Sequence, residues 1–363
     1  MPLNCLLNQT KQNIQTWDIA PDSRQALRKC AERIENNPAA CSAMTEYYHQ
    51  LFESDTRIGL EIADFSDCGT EGYLFNLLFL IRLSVLAESG KYRCHGKSVD
   101  FLAQYNRFAE RNFHQYGNYG LKGTHRYWIY RYLKPDIFVL GRLAFELLEF
   151  HMPYDIYRNR TTGESVPIAV EGYGYTDEGK QPGDGYQGDL FTPEIRDGKG
   201  YTFDEEGKLL FSPVSLSHLE RIVTQGDPVI GVHMPGREKL SEEAVKESFC
   251  CGKQFLSEYF PDYSYKAFVC SSWALDTGLK AFLKDSSNIL KFQKLFRIVL
   301  GPVNTFSLRM DIFHREDEVS IDLLVPENKF QSDMLSFAKN GGKLYSGKGY
   351  LLPDHSHLFS KDS

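Results

Sequence analysis

A chain of 363 residues is longer than one hydrophobic core usually fills, so two domains are expected. Hydrophobic residues at 42% and charged residues at 25% exclude wholesale disorder. A formal charge of −7 gives no electrostatic support for nucleic acid or an anionic membrane as the main partner.

The chain starts MPLNCLLNQTKQNIQTWD, without a basic segment leading into a long apolar run, and does not read as a secretory signal. Pro21 to Asn36 is predicted as a helix opened by Pro-Asp-Ser, and Ala39 to Ser54 as a second helix with Met44, Tyr47, Tyr48, Leu51 and Phe52 on one face. Tyr73 to Ala87 is the most apolar stretch, too short for a bilayer and interrupted by Asn76 and Arg82. Glu71 to Ala87 is therefore read as the central helix of a bundle. Ser98 to Gln115 continues the helical spacing. The eight cysteines are scattered with no CxxC pair, as reduced thiols of a cytoplasmic protein would be.

After Pro135 the texture changes. Asp136 to Phe150 reads as a strand or strand pair, and residues 160–212, rich in Gly, Asp, Tyr and Thr, as hairpins and loops. Strands are then predicted at Pro228–Met234, Tyr265–Ser271, Phe306–His314, Val319–Val325 and Gly347–Leu352. Helices are predicted at Leu240–Phe260, Thr277–Lys284 and Ser287–Leu300. The expected fold class is α+β: a helical N-terminal domain over 1–134, then a mixed α/β domain with a central β-sheet over 135–363.

Three patterns are decoys. Gly342 to Lys348 nearly completes a phosphate-binding loop, but Gly349 stands where a Ser or Thr hydroxyl is needed and Tyr350-Leu351-Leu352-Pro353 cannot open a helix. Asp354, His355 and His357 lie in a polar tail without a further close ligand, so no metal is expected. Cys250 and Cys251 are neighbours on a helix and point apart, one expected buried and one at the surface.

Five segments carry a resemblance: GRLAFE at 141–146, GVHMP at 231–235, the helix containing Ser248 and Phe255, FVCSSW at 268–273 and SNILKFQKLF at 287–296. In that order they resemble bacterial acyltransferase-like proteins with a helical N-terminal domain and a GNAT-like C-terminal domain. The resemblance implies an N-acyltransferase fold with acetyl-CoA or another acyl-CoA as co-substrate and a small-molecule or peptide amine as acceptor. Typical GNAT enzymes carry a Q/R-x-x-G-x-G/A loop that offers backbone N–H groups to pyrophosphate. Here the topological equivalent is Met234 to Ser241, with Gly236 allowing close approach and Arg237 adding charge. Glu242 and Glu243 oppose an anion there, and the alternative is Ser241 as an N-cap with Leu240 and Val245 as a hydrophobic staple. Asn288 would lie against the coenzyme at a helix start, or serve as a cap. Phe292 lacks the hydroxyl that many GNAT enzymes use to protonate the departing thiolate.

His233, at the C-terminal end of an apolar strand, is the first candidate for a general base, and a backbone-satisfied histidine is the alternative. Glu146 is the second candidate base; at strand spacing it shares a face with Arg142, as a cleft residue or as half of a solvated ion pair. Ser272 and Trp273 are read as cleft lining. A Cys270 thiolate beside His233 would make a Cys–His hydrolase, against which stands a plain buried thiol. The readings carried forward are an acyl-CoA-dependent N-acyltransferase and, as rival, a non-catalytic GNAT-like module binding a small molecule or peptide.

Overall fold

The structure, a computed structural model, describes residues 3–53, 73–89, 93–94, 97–98, 101–121, 128–131, 133, 137–183, 185–235, 239–315 and 320–354. The chain divides into two compact units, Met1–Val139 and Leu140–Ser363.

The first unit is helical: α1 (Leu3–Thr16), α2 (Pro21–Glu35), α3 (Pro38–Phe52), α4 (Tyr73–Ser89) and α5 (Phe101–Tyr116). Pro21 and Pro38 start their helices, where a missing N–H costs nothing, and the Asn37 side chain accepts from Ala40 N at 3.1 Å. Helix α4 is apolar on all sides because α1, α2 and α3 all pack against it, burying Leu74 through Ile81. Asn76 is tolerated inside this core because it donates to Tyr105 Oη and Tyr119 O and accepts from Leu121 N, each at 2.8 Å. Apart from a two-residue ladder, Arg93–Cys94 with Lys97–Ser98, no strand occurs among the described residues before 137. No helix among the described residues is long and apolar enough to cross a membrane.

Strand β1 (Ile137–Leu140) spans the boundary, and the second unit continues with β2 (Leu143–Glu149), β3 (Tyr154–Asn159), β4 (Ser165–Ala169), β5 (Leu219–Val223), β6 (Pro228–His233), β7 (Phe268–Ser272), β8 (Arg297–Val303) and β9 (Tyr345–Leu351). The main sheet runs β8-β9-β7-β6-β2-β1, and a smaller one runs β4-β3-β5. Strands β6 and β7 are parallel, whereas β2 with β6, β7 with β9 and β8 with β9 are antiparallel. Helices α6 (Glu242–Tyr259), α7 (Asn288–Gln293) and α8 (Lys329–Lys339) complete the unit.

Strand alternation gives the main sheet two different faces. On the first, Phe145 and Phe268 meet Phe249 of α6, with ring centroids 5.7 Å and 5.3 Å from that of Phe249. Gly252 allows this approach, since a Cβ there would lie 2.9 Å from the Phe145 ring. On the second face, Val229, Val269, Val299 and Tyr350 join Phe150, Tyr154, Tyr175 and Phe203 in another buried cluster.

Several expected elements are different in the structure. Residues 305–312 form a short α turn continuing into a π turn, not a strand, so that Leu308 and Ile312 enter a cluster with Met334 and Leu335. Of Val319–Val325, the described residues hold a 3-10 turn at Ile321–Leu323, with Leu323 and Val325 exposed. The helix expected over Ser287–Leu300 ends at Gln293, and Arg297 onward is strand β8. A short apolar run does not distinguish one helical turn from a strand, and here the tertiary partners decide. Cys250 and Cys251 are both half-buried, in place of one buried and one exposed.

Candidate active site

The site grows from the pairing of β2 with β6. Glu146 stands opposite Gly231 and Ala144 opposite His233, so Glu146 and His233 are diagonal neighbours on the second face of the sheet. Their side chains meet: His233 Nε2 and Glu146 Oε2 are 2.7 Å apart. Gly231 makes the meeting possible, because a Cβ there would lie 3.5 Å from Nε2, 3.4 Å from Glu146 Cβ and 2.6 Å from a Leu148 methyl. The carboxylate is 4% exposed and the imidazole 26%, so the histidine is the member of the pair that meets solvent.

The ladder between parallel β6 and β7 consists of Ile230 with Phe268 and Gly231 with Val269, and stops there. Val232 and His233 lie beyond the last of these register pairs, while Cys270, Ser271 and Ser272 pair on the other side of β7 with Gly349, Lys348 and Gly347. The register between the two parallel strands thus ends next to the histidine.

Cys270 and Ser271 point to opposite faces. Ser271 is exposed and shares the face of His233, whereas Cys270 belongs with Phe268 on the helix-covered face at 2% exposure. Burial pushes its thiol up to about 12, so no thiolate is available to a hydrolase of the Cys–His type. Ser272 caps a 3-10 turn, Trp273–Leu275, by accepting from Ala274 N at 3.1 Å. Trp273 lies against Phe330, with ring centroids 5.9 Å apart. Ser271 is the exposed residue of FVCSSW on the histidine's face, beyond the buried Val269, and sequence reasoning missed it; period-two alternation from Val269 would have found it.

Arg142 forms the β1–β2 turn with Gly141 rather than lying within the strand. Its Nη1 donates to Pro235 O at 2.7 Å, which fixes the entrance to the following loop. Ser248 Oγ of α6 accepts from Arg142 N at 2.7 Å and Leu143 N at 3.2 Å, and donates to Ala244 O at 2.7 Å. Gly141 adopts φ +73°, and a Cβ on it would reach within 2.8 Å of that hydroxyl. GRLAFE and the Ser248 helix are therefore joined at a turn that orients β2.

Gly236 and Arg237, the expected phosphate-loop residues, lie outside the described residues. Beyond them, Ser241 caps α6 by accepting from Ala244 N at 3.3 Å, with Leu240 and Val245 both buried as the staple reading requires. Hydrogen bonds from its own N–H and with the Ser241 side chain hold the Glu243 carboxyl below its usual range. Asn288 is the first residue of α7 and the cap is Ser287, whose side chain accepts from Ile289 N at 3.3 Å. Phe292 is buried in the core at 2% exposure.

A mixed sheet containing a parallel pair, with a helix following the first of those strands, fits a GNAT-like fold. The sequence agrees: residues 137–351 match the GNAT-like C-terminal domain, more than half of the chain, which therefore belongs to that family. Among solved structures, an acyltransferase in complex with decanoyl-CoA is similar over 97% of this chain and 100% of its own, at 15% identity and a TM-score of 0.58. An acyltransferase mutant in complex with octanoyl-CoA is similar over 92% of this chain and 89% of its own, at 16% identity and a TM-score of 0.57. An acyltransferase in complex with CoA and 10C-teicoplanin has the same identity and TM-score, over 92% and 88%. At these identities the likeness is one of fold. No curated protein matches the chain.

Proposed function

We propose that the protein is an acyl-CoA-dependent N-acyltransferase whose general base is His233, oriented by Glu146. The observation that carries this reading is the 2.7 Å His233–Glu146 contact beside the end of the β6–β7 ladder. Similar folds bound to octanoyl-CoA and decanoyl-CoA support a medium-length acyl chain as donor, and the CoA complex with 10C-teicoplanin supports an amine on a small molecule or peptide as acceptor.

Glu146, buried beside the ring, accepts from His233 Nε2–H. This bond selects the tautomer in which Nδ1 is the acceptor and holds the ring in place. Nδ1 takes a proton from the acceptor's ammonium group, and the amine nitrogen attacks the thioester carbon. The tetrahedral intermediate collapses to an amide as the C–S bond breaks, and the coenzyme leaves as thiolate. The first proton passes from the solvent-facing imidazolium to water, the neutral ring then takes the second proton lost by nitrogen and hands it to the thiolate, and no tyrosine on α7 is required. Gly236, Arg237 and Asn288 are proposed to meet the coenzyme's phosphates and adenine side, with Arg142 setting the start of that loop. Ser271 lines the acceptor's approach.

The test is a pair of measurements on the full-length protein. Octanoyl-CoA at one hundred times its Kd should stabilise it by roughly 2.7 kcal/mol in a thermal melt. Glu146→Gln should keep that stabilisation while lowering kcat by ~10-fold to 100-fold, because the amide can donate to Nε2 and reverse the tautomer. Unchanged turnover in that variant would remove the carboxylate from the mechanism, and no stabilisation by any acyl-CoA would remove the coenzyme.

A further inference from the structure

The cross-strand row that contains His233 continues past Ser271. Lys348 of β9 is registered directly opposite Ser271, and Val299 of β8 opposite Lys348, so the row reads Ala144, His233, Ser271, Lys348, Val299 on one face of the sheet. Lys348 is half-buried, and among the described residues it has neither an ion-pair partner nor a side-chain hydrogen bond. Its stem is held in place: Gly301 of β8 leaves the space it occupies, and a Cβ there would lie 3.0 Å from Lys348 Cε and 2.7 Å from Ser346 O. Burial is the one influence on its ammonium, and it lowers the lysine's affinity for a proton.

A methionine would fill the same groove without the cost of desolvating a charge. The fold therefore gains nothing from the ammonium itself. An unneutralised cation held beside the site by a packed stem is suited to an anionic ligand. We propose that Lys348 is the seat for a carboxylate of the acceptor, which makes the substrate an amino acid-like or peptide-like molecule with its amine at His233 and its carboxylate at Lys348. This rests on the acyltransferase reading for the amine end only. Two strand spacings separate the backbones of β6 and β9, so the two ends of the acceptor lie roughly 10 Å or more apart. An extended tripeptide spans about that distance.

The experiment uses triglycine, its C-terminal amide, and single glycine with its amide, titrated into the full-length protein saturated with CoA. The expected result is that triglycine binds roughly tenfold or more tightly than its amide, that glycine shows no such preference, and that Lys348→Met erases the preference while Lys348→Arg retains it. In the wild-type protein, triglycine and not its amide should also slow reductive methylation of Lys348, a readout that needs no variant to fold. Equal binding of acid and amide, or a preference that survives in Lys348→Met, overturns the proposal. So does a loss of CoA affinity in Lys348→Met, which would assign the lysine to a phosphate of the coenzyme. Acid-selective binding through Lys348 without acyl transfer to triglycine would uphold the seat and instead overturn the reading of the reaction.

Discussion

On one face of the main sheet, Phe145 and Phe268 meet Phe249 of α6; on the other, one residue along from Phe145, Glu146 reaches His233 beside an exposed serine. The same strands make both faces, and period-two alternation separates them. Residues adjacent in sequence therefore carry opposite roles: Phe145 packs and Glu146 orients, Cys270 is sealed and Ser271 is exposed. The difference teaches that nucleophilic character in FVCSSW has to be read from the face, since the thiol is on the wrong side of the sheet for His233.

The largest effect expected from this division is on stability alone. Phe145→Ala removes a ring that touches both α6 and β7 and should cost ~3–5 kcal/mol in denaturant unfolding. A loss below ~1 kcal/mol would mean that the helix-covered face is not packed as described. Next is Gly231→Ala. Its methyl would overlap Leu148 and press on Glu146 and His233, costing ~1–3 kcal/mol and lowering turnover at the same time, as no purely structural position on the other face should. Cys270 gives a smaller and sharper contrast. With its thiol pushed up to about 12 by burial, it should resist iodoacetamide in the folded protein at pH 8, where the half-buried Cys250 and Cys251 are modified first. Mass spectrometry of the alkylated peptides reads this directly. Smallest of all, Cys270→Ala should leave kcat within ~2-fold of the parent, because the thiol lies across the sheet from the imidazole. A loss of 100-fold would restore the hydrolase reading.

The helical first unit was legible because its periodicity and its helix starts at Pro21 and Pro38 are local. Strands β2, β6 and β7 were legible from β-branched and aromatic runs, and both halves of the histidine–glutamate pair could be singled out from their places on those strands. Their contact could not. It spans 87 positions and depends on Glu146 registering against Gly231, a pairing that no local pattern encodes. Lys348 is hidden differently, inside a Gly-x-x-x-x-Gly-Lys pattern; β9 runs as a strand there, and Gly347 and Gly349 serve close packing against Leu275 and Phe296. The strands expected over Phe306–His314 and Val319–Val325 are replaced by helical turns among the described residues, because apolar residues there enter a small cluster with α8, a tertiary preference that overrides the local one.

The central claim is that His233 and Glu146 act as one unit, and a double-mutant cycle on acyl transfer from octanoyl-CoA tests it most directly. His233→Ala, Glu146→Gln and the double variant are compared in kcat, with folding checked by thermal melts. His233→Ala alone should lose ~10²-fold or more and the double variant no more than that, since an orienting carboxylate has nothing left to orient. Losses that multiply across the two sites would contradict it, by showing that the glutamate works on the substrate independently of the histidine.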